Sequence, residues 1–91
     1  NTDAVKYALQ SFSNPIRIIL GGSDKGEDFS VLLPYLRKFA KKVYLIGETR
    51  EKMKKTFAGK VKFSEFEDFQ YCIETAFSEA EKNDVILLSP A

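Results

Sequence analysis

Ile16-Arg17-Ile18-Ile19-Leu20-Gly21-Gly22-Ser23-Asp24-Lys25-Gly26-Glu27-Asp28 is the stretch on which the fold turns. Its first five residues are apolar except Arg17, are rich in β-branched side chains, and lie between Pro15 and a glycine pair. That is the pattern of a short buried strand entering a glycine turn. The polar, glycine-rich segment from 21 to 28 is then a loop, and the apolar residues beyond it return at helical spacing. Strand, glycine loop and helix in that order begin an α/β unit.

The flanking sequence continues the alternation. Val5, Ala8, Leu9 and Phe12 recur at i, i+3, i+4 and i+7, so residues 2 to 13 are predicted to form an amphipathic helix, capped by Asn1 or Thr2 and stopped by Ser13-Asn14-Pro15. A second helix over about 30 to 40 turns Leu32, Leu33, Leu36, Phe39 and Ala40 inward and tolerates Pro34 only in its first turn. Residues 42 to 46 form the next strand. Thr49 is predicted to cap a short basic helix whose Met53 and Phe57 face the core and which Gly59 ends. Residues 61 to 63 are a brief strand, and Ser64-Glu65-Phe66-Glu67 reads as a capping box. The long helix it opens places Phe66, Phe69, Ile73, Ala76, Phe77 and Ala80 on one face, and residues 84 to 88 close the series as a strand. Right-handed crossovers to a mainly parallel four-stranded sheet with about four helices are the simplest topology, a Rossmann-like three-layer α/β domain spanning residues 1–91.

Composition narrows the function. A chain of 91 residues with 44% hydrophobic and 30% charged side chains is one ordinary folded domain, neither disordered nor collagen-like. The net charge of +1 provides no general attraction for nucleic acid or an anionic membrane. Charge is nonetheless divided along the chain. Residues 37 to 62 hold ten basic side chains and two acids, whereas residues 63 to 91 hold seven acids and one base, a distribution that reads as solvated helix faces of opposite sign. With no histidine and a single cysteine, Cys72, the common zinc ligand sets and the Ser-His and Cys-His nucleophile pairs are unavailable, and no metal site is expected. Cys72 reads as a small buried residue, and the four tyrosines as packing residues on regular elements. No apolar run approaches a membrane span and no signal peptide is evident, so the chain reads as cytoplasmic. The first residue is Asn1 rather than methionine, and the sequence stops at Ala91 directly after the last predicted strand, which reads as truncation at both ends.

The glycine loop is the one candidate site with a mechanism. Its glycines allow positive φ and close backbone approach, the next helix supplies free N–H groups, and Lys25 adds a full positive charge, so an anion is the expected guest. The spacing of Gly21, Gly22 and Gly26 matches neither the phosphate loop nor the dinucleotide fingerprint. On these residues alone, a structural turn whose Asp24 and Lys25 face water is an equal reading.

Residues 21 to 30 resemble the Gly-Gly-x-Asp-Lys-Gly-x-Asp-Phe segment of the C-terminal domain of the Mur ligases, nearest to the branch that adds D-glutamate. Asn1-Thr2-Asp3-Ala4 resembles the stretch after that family's Asp-Ser-Lys-x-Thr signature, and Leu87-Leu88-Ser89-Pro90-Ala91 the opening of its Leu-Ser-Pro-Ala-Cys-Ala-Ser motif. The resemblance implies a part of an ATP-dependent amide ligase of peptidoglycan precursor synthesis. In such an enzyme ATP phosphorylates the carboxylate of UDP-N-acetylmuramoyl-L-alanine, and the amine of D-glutamate attacks the acyl phosphate. It places ATP and magnesium in a central domain that this chain lacks, together with the N-terminal domain. It implies that Lys25 holds a D-glutamate carboxylate with Gly22, Ser23 and Asp24 around it, and that Asn1 and Ser89 stand nearby on the nucleotide side or behind the substrate contacts. No catalytic residue, and no activity of the isolated chain, is expected. Two other readings remain: a free-standing binding or interaction module whose basic third helix meets an acidic partner, and a fragment made for folding or recombination studies. In either truncated case, self-association through the cut edges is expected.

Overall fold

Residues 1–90 are described by a computed structural model, apart from the side chain of Pro90. Helix α1 (Thr2–Leu9) leads to strand β1 (Ile16–Gly21), then to a 3₁₀ turn (Phe29–Leu32) continuous with α2 (Leu33–Phe39). Strand β2 (Ala40–Leu45), helix α3 (Arg50–Phe57), strand β3 (Phe63–Glu65), helix α4 (Phe69–Glu79) and strand β4 (Val85–Pro90) complete the chain. The four strands form one parallel sheet in the order β3-β2-β1-β4. The Rossmann-like α/β prediction therefore holds.

Alternation along the strands divides the core in two. Ile16, Ile18 and Leu20 of β1, with Val43 and Leu45 of β2, meet Val5 and Leu9 of α1, Leu33 and Leu36 of α2, and Met53 and Phe57 of α3. On the opposite face, Ile19 and Tyr44 meet Phe66 and the Cys72 and Ala76 positions of α4. Each large aliphatic side chain fully removed from water in this way contributes about 1.5–3 kcal/mol. The central strand is buried along its whole length, which is why it reads as an apolar run broken only by Arg17.

Several boundaries differ from expectation. Helix α1 stops at Leu9, four residues short: Gln10 and Ser11 N–H donate to the Tyr7 and Ala8 carbonyls, tightening the end into a 3₁₀-type turn and leaving Phe12 42% exposed. Ala40 starts β2 rather than ending α2. Pro34 lies in the first turn of α2, where its missing N–H costs nothing. Thr49 precedes α3, but its hydroxyl makes no cap bond and instead donates to the Gly22 carbonyl at 3.4 Å.

The predicted capping box does not form. Ser64 and Glu65 belong to β3, which lies two residues later than expected, and the Phe66 N–H extends the sheet by donating to the Leu45 carbonyl. Asp68 caps α4 through its bond from the Tyr71 N–H. The register of α4 consequently buries Cys72 and Ala76, while Phe69 and Phe77 are exposed. Strand β4 runs to Pro90, so Ser89 lies within the last strand and not beyond it.

Candidate functional site

Crossovers carry the chain from β1 to β2 on one side and bring β4 back on the other, so strand order reverses between β1 and β4. The crevice beyond the carboxyl ends of strands at such a reversal is where open α/β sheets bind ligands. Leu20 pairs with Ser89 and Gly21 with Pro90 at that edge. Gly22, Ser23, Asp24 and Lys25 thus leave directly from the tip of β1, and the buried Ser89 lies on the adjacent strand.

Close approach explains the glycines here. A Cβ on Gly21 would lie 2.7 Å from Ile46 Cγ2 and 2.8 Å from the Ile46 carbonyl oxygen, so no side chain fits. Gly22 has φ 138°, and Gly47, at φ 90°, leaves only 3.1 Å between an imagined Cβ and the Gly22 nitrogen. The loop after β1 and the turn after β2 are therefore packed backbone against backbone.

Among the described residues, the carboxylates around the loop are occupied. Asp24 accepts from the Gly26 N–H at 2.9 Å and from Lys52 Nζ at 3.2 Å. These contacts, the backbone bond foremost, hold its carboxyl below the usual range. Glu48 accepts from the Asp24 N–H at 3.0 Å, and Glu27 from the Thr2 N–H at 3.0 Å. Asp28 caps the 3₁₀ turn, and the Ser30 hydroxyl (2.7 Å) and N–H (3.0 Å) lower its pKa in that order. Lys25 is exposed and, among the described residues, pairs with no carboxylate. Asn1 caps α1 by accepting from the Ala4 N–H at 2.8 Å, and the neighbouring Thr2–Glu27 bond ties that helix start to the loop. Glu27, Glu48, Thr49 and Lys52 were not anticipated as loop partners. The available signal was Gly47-Glu48-Thr49 directly after β2, which puts that turn at the same sheet edge.

A second polar cluster lies at the amino ends of the strands. Arg17 donates to Asp84 and to the Tyr44 hydroxyl, each at 2.9 Å, and the Tyr44 hydroxyl in turn donates to Glu79 at 2.7 Å. Lys42 reaches Glu79 at 2.8 Å, while Lys41 meets Glu81 and Asp84. Burial first, then the Glu79 bond, pushes Tyr44 up to about 12. The Glu81 N–H, followed by Arg17, brings Asp84 down to about 2. Here the basic and acidic stretches of the sequence meet, so part of each is a paired cluster and not a solvated face. Its charges are mutually satisfied and fasten the end of α4 to β1 and β2.

The remaining groups are chemically quiet. Cys72 is buried, and desolvation pushes its thiol up to about 11. Tyr44 is a packing residue as expected, but Tyr7 and Tyr71 are largely exposed. Among the described residues no group of three or more His, Cys, Asp or Glu side chains could hold a metal ion, and no helix is long and apolar enough to cross a membrane. A surface depression of about 390 Å³ beside Phe12, Pro15, Lys38 and Phe39 lies at the amino ends of the strands, away from the glycine loop.

Comparison with known proteins gives a consistent result. The family described as "Mur ligase, glutamate ligase domain" matches residues 1–91. The chain is 41% identical over 93 residues to the UDP-N-acetylmuramoylalanine--D-glutamate ligase of Caldicellulosiruptor saccharolyticus, covering 100% of this chain and 20% of that protein. Proteins of the same name from Elusimicrobium minutum and Salinibacter ruber are 42% and 40% identical, again over 100% of this chain and 21% and 20% of theirs. The chain spans about a fifth of the length of the curated relatives it matches.

Proposed function

The chain belongs to the Mur ligase glutamate ligase domain family, and from that membership we propose that it is the amino-acid-binding domain of an ATP-dependent ligase joining D-glutamate to UDP-N-acetylmuramoyl-L-alanine. The relatives' names describe a ligase of D-glutamate and UDP-N-acetylmuramoylalanine, and each is about five times as long as this chain. In this reading ATP and magnesium are held by the central domain of the whole enzyme, and the reaction takes place in the cytoplasm. They supply the activation of the muramoyl-alanine carboxylate, and this domain presents the amine that attacks it.

One observation carries the reading. At the β1/β4 reversal, with four carboxylates of the loop region engaged by N–H or hydroxyl donors, Lys25 is a lysine ammonium that pairs with no carboxylate among the described residues. A compact cation in that position takes the side-chain carboxylate of D-glutamate while the α-amine stays free to react. Gly22 and Ser23 form the wall of the same turn, Asp24 shapes it through the Gly26 N–H, and Ser89 offers a hydroxyl from the adjacent strand. Asn1 acts indirectly, by setting the start of the helix that Glu27 binds. Positioning is the whole of the domain's contribution, so no residue here transfers a proton or forms a covalent bond.

In the whole enzyme, Lys25→Ala should raise the apparent KM for D-glutamate at least tenfold more than that for ATP. Equal effects on both substrates would refute the assignment of Lys25. The 91-residue chain alone should release no phosphate from ATP.

A further inference from the structure

We propose that the turn after β2 and the helix it opens, through Glu48 of the turn and Lys52 of α3, are the positioning device of the glycine loop, holding Asp24 by its N–H and its carboxylate so that Lys25 stays free for an incoming anion. The proposal rests on the reading of this loop as a carboxylate site and adds the residues that make such a site workable.

The need for such a device follows from the local charge. Asp24, Glu27, Asp28 and Glu48 surround two lysine ammonium groups, those of Lys25 and Lys52, so the side chains around the anion site are formally negative. Asp24 is the immediate neighbour of Lys25, and an untethered Asp24 carboxylate would either pair with that lysine or repel the ligand. Three contacts prevent this. Lys52 Nζ and the Gly26 N–H converge on the same oxygen, Asp24 Oδ1, at 3.2 and 2.9 Å. Glu48 Oε1 holds the Asp24 N–H from the other side at 3.0 Å. Lys52 is itself fixed, its ammonium lying 5.3 Å from the centre of the buried Phe29 ring.

The turn is also pressed onto the loop. The Thr49 hydroxyl reaches the Gly22 carbonyl, and the absent side chain of Gly47 lets the two backbones touch. The Lys52–Asp24 pair is partly exposed, with side-chain exposures of 38% and 49%, and an ion pair in that setting adds little to global stability. Its consequence is placement, and this separates the proposal from a merely structural role.

The test uses the 91-residue chain and its Lys52→Met, Lys52→Arg, Glu48→Ala and Glu48→Gln variants. Backbone ¹H–¹⁵N heteronuclear NOE and amide exchange report the order of residues 22–26, and an amide-shift titration with D-glutamate reports binding. Lys52→Met and Glu48→Ala should lower the NOE and speed amide exchange at those residues, with the urea midpoint nearly unchanged. Lys52→Met should also weaken D-glutamate binding roughly threefold to tenfold, the range for one positive charge lost at the rim of an exposed anion site, whereas Glu48→Ala removes a negative charge and is read by loop order alone. Lys52→Arg and Glu48→Gln, which keep the donor and the acceptor, should preserve loop order. Loop dynamics in Lys52→Met and Glu48→Ala identical to those of the unaltered chain would overturn the proposal. If the unaltered chain shows no loop shifts with D-glutamate, the carboxylate reading fails, while the NOE comparison still decides whether the turn holds the loop.

Discussion

Gly21→Ala tests the packing beneath the candidate site more sharply than any change in the site itself. The new methyl carbon would lie 2.7 Å from Ile46 Cγ2 and 2.8 Å from the Ile46 carbonyl oxygen, both well inside contact distance. The first clash can be relieved by rotating a side chain. The second cannot, because the oxygen belongs to the backbone whose N–H, at the same residue, bonds to the Leu20 carbonyl at 3.0 Å. Strands β1 and β2 must therefore part at their carboxyl ends, and forced overpacking of this kind costs about 1–3 kcal/mol. Urea unfolding followed by far-UV circular dichroism should show it, since the chain has no tryptophan. With an m value of about 1 kcal/mol per M, the midpoint should fall by about 1–3 M. Ile46→Ala removes Cγ2 and leaves the oxygen, so the Gly21→Ala/Ile46→Ala double variant should remain less stable than Ile46→Ala alone. A Gly21→Ala midpoint within about 0.5 M of the parent's would refute the close approach itself, and with it the packing of the two loops.

Three further outcomes follow from features at a distance from the loop. Asp84 titrates near 2 in the fold against 3.8 ordinarily, so its stabilising effect is complete above about pH 4 and is lost as pH falls through about 2. Tyr44 has the opposite sign: raised from 10.0 to about 12, it keeps its contribution below pH 10 and loses it as pH rises through 12. Stability against pH should therefore show an acid limb that Asp84→Asn flattens and an alkaline limb that Tyr44→Phe flattens; limbs unchanged in those variants would contradict the assignment. Native Cys72 should react with a thiol reagent only at the rate of unfolding, because burial raises its thiol to about 11; fast labelling of folded protein would show that α4 does not cover it. Strand β4 is a sheet edge among the described residues, and Leu88 and Phe77 are 53% and 64% exposed. Sedimentation should show concentration-dependent association that Leu88→Lys diminishes, and a monomer at all concentrations would exclude this edge as a contact.

The parts of the fold that were legible are those whose signals are local. Pro15, an apolar run and two glycines delimit β1 with no help from elsewhere, and Pro34 marks the first turn of α2. The misread segment was 61 to 68. Ser64 and Glu67 have the spacing of a capping box, but the end of β2 competes for the same residues and wins, because a Phe66 buried against Tyr44, with its N–H on the Leu45 carbonyl, gains more than a terminal cap supplies. Displacing the helix start to Asp68 then rotated Phe69 and Phe77 outward. The candidate site divides in the same way. Lys25 and its glycines are contiguous in the sequence, whereas Asp24 meets Glu48 and Lys52 only through the parallel register of β1 and β2. Arg17 and Asp84, 67 positions apart, are likewise joined by register alone.

The pairing of β1 with β4 also governs when the loop comes into being. Ile16 through Gly21 are flanked on one side by residues 85 to 90, the last described part of the chain. A chain synthesised from its amino end therefore carries the glycine loop on a strand with one open flank until residues 85 to 90 have been made. Until β4 docks, Arg17 also lacks its Asp84 partner. Non-local closure of this kind is slow, and it confers all-or-none character: no nascent or nicked form ending before β4 should display an ordered loop. Ligand recognition would then be withheld from chains that stop before β4, because the loop begins just past Gly21 whereas the strand that steadies β1 begins only at Val85.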